Sequence, residues 1–173
     1  TYTVKRTATD EKGKTGTKEK KVTGLAPERC LVIIQTPMGD MLAEIYDRTP
    51  LHQDNFVKMI EQGYYDSLLF HRVIQGFMIQ GGDPDSKNAA PGKMLGSGGP
   101  GYTIKAEFVD SLAHVKGALC AARTNNPQKR SSGSQFYIVQ GKPVSEQDLN
   151  NKEGAARFRY PSYVREEYLK MGG

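Results

Sequence analysis

A chain of 173 residues carries about one domain, since domains usually take about 100 to 200 residues, and its 37% hydrophobic and 25% charged content with a mean hydropathy of -0.59 describes an ordinary soluble chain with a sizeable core. No uninterrupted apolar run approaches the roughly 20 residues that span a bilayer, which excludes a transmembrane segment. The net charge of +5 sits early: residues 1–29 hold eight Lys or Arg against four acids, leaving 16 against 15 and a nearly neutral remainder.

Residues 7–24 have almost no large apolar side chain and cannot bury enough surface to offset their ordering entropy, so residues 1–29 read as a flexible, basic leader. The stretch lacks interleaved aromatics, which favours a solvated linker or weak membrane-surface contact over a nucleic-acid arm. Residue 1 is Thr1 and not Met, which is compatible with a mature product from which a signal peptide has been removed, so the absence of a signal proves little. A polar leader of this kind suits a periplasmic or envelope-tethered bacterial protein, with the cytoplasm as the alternative.

Leu31 to Ile34 and Met41 to Tyr46 are apolar or β-branched runs around Thr36-Pro37-Met38-Gly39-Asp40, the pattern of a hairpin. Thr49 before Pro50 reads as an N-cap with Pro at the first helical position. Phe56, Val57 and Ile60 share one face and Gly63 ends the helix, which covers 50–62. Leu68 to Ile74 and Phe77 to Gln80 pair around Gln75-Gly76, and 102–108, 117–122 and 135–140 read as further short strands. Many short strands with one early helix suggest a barrel. Ser145 starts a capped helix, and 162–171 form a second helix ended by Gly172-Gly173. The expected organisation is a leader over 1–29, a barrel over 30–144 and a helical segment over 145–173.

Several motifs lack their context. Gly96-Ser97-Gly98-Gly99-Pro100-Gly101 satisfies GxGxxG but leads into strand-like Tyr102-Thr103-Ile104, where a dinucleotide site needs a helix start, so it reads as a flexible loop. His52, His71 and His114 have no second ligand at metal spacing, and no zinc site is expected. Ser131, Ser132 and Ser134 read as turn chemistry without a nucleophile elbow. Cys30 and Cys120, ninety positions apart, read as unpaired thiols.

The run FHRVIQGFMIQGGDP, residues 70–84, holds one arginine among apolar side chains. Alternation puts Phe70, Arg72 and Ile74 on one strand face and Met78 and Gln80 on the partner's, so a hairpin would set Arg72 beside Met78 and Gln80. On spacing alone an edge-strand arginine in water is an equal reading.

That run closely resembles the signature of the cyclophilin family of peptidyl-prolyl cis-trans isomerases, as does SSGSQFYIV at 131–139. The likeness spans about residues 30 to 140, through MGDMLAEIYD, TPLHQDNFVKMIEQGYYDSLLFHR, the AEF of 106–108 and the HVKGALCAAR of 114–123. The resemblance implies a mainly β fold, an eight-stranded antiparallel β-barrel with capping helices and a shallow external proline pocket. By motif position Arg72 matches the family's catalytic arginine; Phe77, Met78 and Gln80 match its pocket floor and amide-binding residues; Ala122 and Arg123 match the strand end that contacts substrate, with Arg123 where Asn is frequent; Gln135 matches a contact glutamine; and Tyr137 falls where a pocket Phe is usual.

Such a reaction breaks no bond. Its barrier of about 18 to 20 kcal/mol is lost amide resonance. A guanidinium aimed at the nitrogen lone pair that reappears on twisting stabilises the transition state, so no acid, base, metal or organic cofactor is expected. The family's last strands, with their pocket Trp and His, find no counterpart here, and 145–171 resemble the helical insertion of some bacterial relatives. Incomplete at the C-terminus, the barrel would expose an unclosed edge where a partner chain could pair. The implied partners are proline-containing polypeptide clients. The alternative is a proline-directed chaperone or complex subunit that binds with little turnover.

Overall fold

The computed structural model describes residues 2–9, 15–22 and 29–173. Threonine and valine recur through both runs, and these β-branched residues pair as an antiparallel hairpin of β1 (Tyr2–Thr9) with β2 (Thr15–Val22), in register from Tyr2 opposite Val22 to Thr9 opposite Thr15. A flexible leader is expected from the same composition. Most of 7–24 is paired strand instead, and the rest of that stretch, residues 10–14, 23 and 24, lies outside the described residues.

The second hairpin is as expected. β3 (Cys30–Thr36) pairs with β4 (Gly39–Ile45) around Pro37-Met38. Thr36 Oγ1 donates to the Gly39 carbonyl at 2.7 Å and accepts from Met38 N at 3.1 Å, the local hydrogen bonding that favours Thr beside turns. These hairpins fall in one compact unit, 1–45; residues 46–173 form a second.

In the second unit, α1 (Pro50–Glu61) opens on Pro50 and ends in a Schellman motif. Tyr64 N donates to the Met59 carbonyl and Gly63 N to that of Ile60, with Gly63 at φ +64°, a left-handed position that suits glycine. Thr49 does not cap the helix as expected: its hydroxyl donates to the Tyr46 carbonyl.

The remaining strands are short: β5 (Arg72–Ile74), β6 (Met78–Gly81), β7 (Thr103–Ile104), β8 (Leu119–Ala121), β9 (Ser131–Ser132) and β10 (Phe136–Val139). Four of them make an antiparallel sheet in the order β5-β6-β10-β8, and β7 pairs with β9. Phe136 is the hub of one core, with Phe56, Tyr65 and Phe70 packed on it edge-on at 5.6 to 6.2 Å between centroids. A separate core joins α2 (Glu146–Ala156) to α3 (Ser162–Met171) through buried Leu149, Val164 and Tyr168, with Val115 and Tyr160 against them. Ser145 and Asp148 complete a capping box on α2.

The fold is mainly β with a few helices. The eight-stranded barrel implied by the resemblance is not closed among the described residues, whose strands form four separate sheets. Strands of two to four residues in the second unit are too short to carry a continuous ladder around a barrel. Among the described residues no helix is long and apolar enough to cross a membrane.

Candidate active site

Directly opposed residues in an antiparallel sheet share a face. Arg72 opposes Gln80, Gln80 opposes Tyr137, and Tyr137 opposes Cys120, so four strands contribute one row of side chains. The next row is Ile74, Met78 and Val139, of which Met78 and Val139 are buried. The turn between β5 and β6 relies on Gly76 at φ +72°, where a Cβ would also press on the Lys142 side chain. It presents Phe77, 42% exposed, at the edge of the rows.

Polar side chains in this row and beside it form a relay. Arg72 Nη1 donates to Gln80 Oε1 at 3.1 Å, Gln80 Nε2 to Gln135 Oε1 at 2.9 Å, and Gln135 Nε2 to the carbonyls of Gly96 and Gly98 at 3.0 and 2.7 Å. Gln135 is buried, and the two backbone carbonyls fix which end of its amide faces Gln80. Arg72 is solvent-exposed, and among the described residues no carboxylate pairs with it. The guanidinium is therefore oriented by a neutral acceptor and keeps its full charge for whatever approaches.

Beside the relay lies an aromatic notch. His114 stacks on Phe77 at 6.4 Å, and Tyr137 lies 5.5 Å from His114 and 6.3 Å from Phe77. The Tyr137 hydroxyl and His114 Nε2 hydrogen-bond at 3.0 Å, which satisfies the polar end of a residue placed where the family has an apolar ring. Burial holds the His114 pKa below 6.5, aided by the Lys152 charge and opposed by a backbone hydrogen bond. The ring is therefore neutral at pH 7. Burial raises the Tyr137 pKa, with Cys120 adding and Arg123 opposing. The Cys120 thiol is pushed up to about 11 by burial, against a hydrogen bond with Tyr137, so it stays protonated and unreactive.

The other expected residues are placed as follows. Ala122 is buried, its N–H donating to the Gln135 carbonyl at 2.9 Å and its carbonyl accepting from Ser132 N at 2.8 Å. Arg123 is exposed and follows it. Phe77, Met78, Gln80, Gln135, Tyr137 and Arg72 come together. His114 joins the notch without having been singled out for it, because it is 23 positions from its partner Tyr137.

One further cluster departs from the sequence reading. Glu107 accepts from Leu51 N and His52 N at 3.0 Å each, capping α1 in place of Thr49. His52 Nδ1 lies 2.6 Å from Glu107 Oε2, and its Nε2 lies 2.6 Å from Ser131 Oγ. The order Ser, His, Glu is that of a hydrolase triad, but Ser131 is only 6% exposed. The three instead tie the start of α1 to the strand that leads into Gln135. Burial would raise the Glu107 pKa, and the hydrogen bonds from His52 and the two N–H groups outweigh it and hold the carboxyl low.

The site is a cation steadied by neutral amides at the rim of an aromatic notch. Residues 31–156 match the family model for cyclophilin type peptidyl-prolyl cis-trans isomerase/CLD. A Staphylococcus epidermidis protein named as a peptidyl-prolyl cis-trans isomerase is 36% identical over 82% of this chain and 67% of its own. A Streptococcus pyogenes protein named as a bifunctional phosphatase/peptidyl-prolyl cis-trans isomerase is 36% identical over the same share, but the chain spans only 28% of it. The crystal structure of a cyclophilin type isomerase from Cryptosporidium parvum superposes with a TM-score of 0.54 at 30% identity, over 65% of this chain and 68% of that one. This chain belongs to the cyclophilin-type peptidyl-prolyl cis-trans isomerase family.

Proposed function

We propose that the chain rotates Xaa-Pro bonds in flexible or unfolded protein segments, with Arg72 as the residue that acts on the rotating bond. The relay from Arg72 through Gln80 to Gln135, beside the notch of Phe77, Tyr137 and His114, carries this reading. A proline ring seated against Phe77 and over buried Met78 is held while the rest of the chain turns. As the C–N bond twists, the nitrogen regains its lone pair and accepts from the guanidinium, an interaction stronger in the transition state than in the planar ground state.

Gln80 has an unused lone pair on Oε1 and so suits a substrate amide as well as Arg72, while buried Gln135 behind it holds Gln80 in place. A charge-assisted hydrogen bond contributes roughly 1.5 to 3 kcal/mol, which is about ten- to a hundredfold in rate at 1.36 kcal/mol per decade. Positioning in the notch supplies the rest. Likeness to the solved cyclophilins supports an antiparallel barrel with capping helices, incomplete at the C-terminus, as the working architecture. Measuring isomerisation and peptide affinity on one preparation tests the function: turnover lost with Arg72 while affinity persists supports it, and affinity without turnover in the unaltered chain favours a peptide-holding module.

A further inference from the structure

The GxGxxG-like loop binds no dinucleotide in the reading above, yet its first two glycines are the last link of the relay, and something must hold them. Asp83 does so. Its side chain is fully buried. Oδ2 accepts from Gly96 N at 2.5 Å and Gly98 N at 3.3 Å, and Oδ1 accepts from Asp85 N at 2.8 Å. The same two glycines thus donate their N–H groups down to Asp83 and offer their carbonyls up to Gln135.

The Asp83 backbone is equally constrained. Ser86 Oγ donates to its carbonyl at 2.6 Å, and Ser134 Oγ donates to the carbonyl of Gly82 at 2.8 Å, so the 82–83 segment is pinned against 134–135. A Cβ at Gly82 or Gly98 would collide, with the Ser134 carbonyl in one case and Asp83 Oδ1 in the other. Burial would raise the Asp83 pKa, but the three backbone N–H groups and the His71 charge prevail and keep the carboxylate ionised. His71, adjacent in sequence to Arg72, has both its ring nitrogens buried without a hydrogen-bond partner among the described residues.

We propose that Asp83 is a positioning residue for the isomerisation: it holds the 96–98 loop so that the Gly96 and Gly98 carbonyls orient Gln135, which orients Gln80, which aims Arg72. This rests on the reading of Arg72 as the catalytic residue. An acceptor with two oxygens is needed because three N–H groups converge on it. In Asp83→Asn one oxygen becomes an NH2 group that faces donors, and the loop must shift. Misplacement of a catalytic group by about 1 Å can cost on the order of a hundredfold.

The test is a double-mutant cycle in the full chain, with peptide Kd, kcat/KM and melting temperature measured for Asp83→Asn, Gly98→Ala, Arg72→Ala and each pair with Arg72→Ala. Asp83→Asn and Gly98→Ala are each expected to lower kcat/KM about tenfold with Kd changed less than twofold, and to have no further effect once Arg72 is alanine. Equal losses in both backgrounds, or no loss from either variant at an unchanged melting temperature, overturn the inference while leaving Arg72 in place. Should Asp83→Asn not fold, Gly98→Ala decides alone. If Arg72→Ala itself leaves turnover intact, the underlying reading of Arg72 fails instead.

Discussion

Gln80 stands directly across the sheet from Arg72, and its carbonyl end accepts the guanidinium while its NH2 end is committed to Gln135 at 2.9 Å. An amide has one donor end and one acceptor end, so occupying the donor end determines what Arg72 meets. Gln80→Leu removes both contacts at similar volume. We expect kcat/KM to fall about tenfold, the equivalent of one lost hydrogen bond to a charged group, and stability to fall by about 1 to 3 kcal/mol because buried Gln135 Oε1 loses its donor. A proline-peptide isomerisation assay beside a thermal melt checks it. Unaltered turnover would remove Gln80 from the account.

Tyr137→Phe restores the ring usual in the family and deletes the partner of His114 Nε2. Leaving a half-buried nitrogen unpaired costs about 1 kcal/mol, so chemical denaturation should show a loss of that order. Rotation itself needs only the apolar wall, so kcat/KM should change less than about threefold. A larger loss of turnover would mean that the hydroxyl touches substrate.

The pH dependence of stability follows from three depressed pKa values. Native His114 titrates below the 6.5 of the unfolded chain, so the unfolded state binds the proton first; its contribution is whole above about pH 6.5 and is lost as pH falls through the native value. Asp83 and Glu107, held below their usual 3.8 and 4.5, extend the decline into the acid range. The urea midpoint should therefore fall steadily from about pH 7.5 to about pH 3.5, and His114→Gln should flatten its upper part. A midpoint that rises on acidification contradicts the assignment.

Glu107 caps α1 across 55 residues of sequence and braces His52 against Ser131. Glu107→Ala should cost about 1 to 2 kcal/mol, the range for a lost N-cap, and His52→Ala should cost less because the cap survives it. Denaturant titration of both variants measures the order. The reverse ranking would make the histidine, not the cap, the main support.

What could be read from the residues depended on the range of the interaction. Arg72, Gln80 and Phe77 lie within one hairpin, so alternation put arginine and glutamine on facing positions, with a solvated edge-strand arginine as an equal reading on spacing alone. The Schellman end at Gly63 and the capping box at Ser145 and Asp148 are equally local. Thr49 misled because a threonine before proline has the form of a cap, while the actual acceptor, Glu107, sits 56 positions from Leu51. Asp83 escaped notice, and the 96–98 glycines read only as a flexible loop, for the same reason. Their role exists only once the loop folds back onto the carboxylate, and nothing in GGDP or GSGGPG encodes that return. The paired β1 and β2 show the converse error, where a polar composition concealed recurring β-branched residues.

The central claim is that one oriented cation lowers the barrier to turning a prolyl bond. Arg72→Ala, assayed for isomerisation of a proline peptide and for affinity toward the same peptide, tests it most directly. The account predicts at least about a tenfold loss of kcat/KM, a Kd within about threefold and an unchanged fold by circular dichroism. Turnover preserved in that variant, at unchanged affinity, would contradict it.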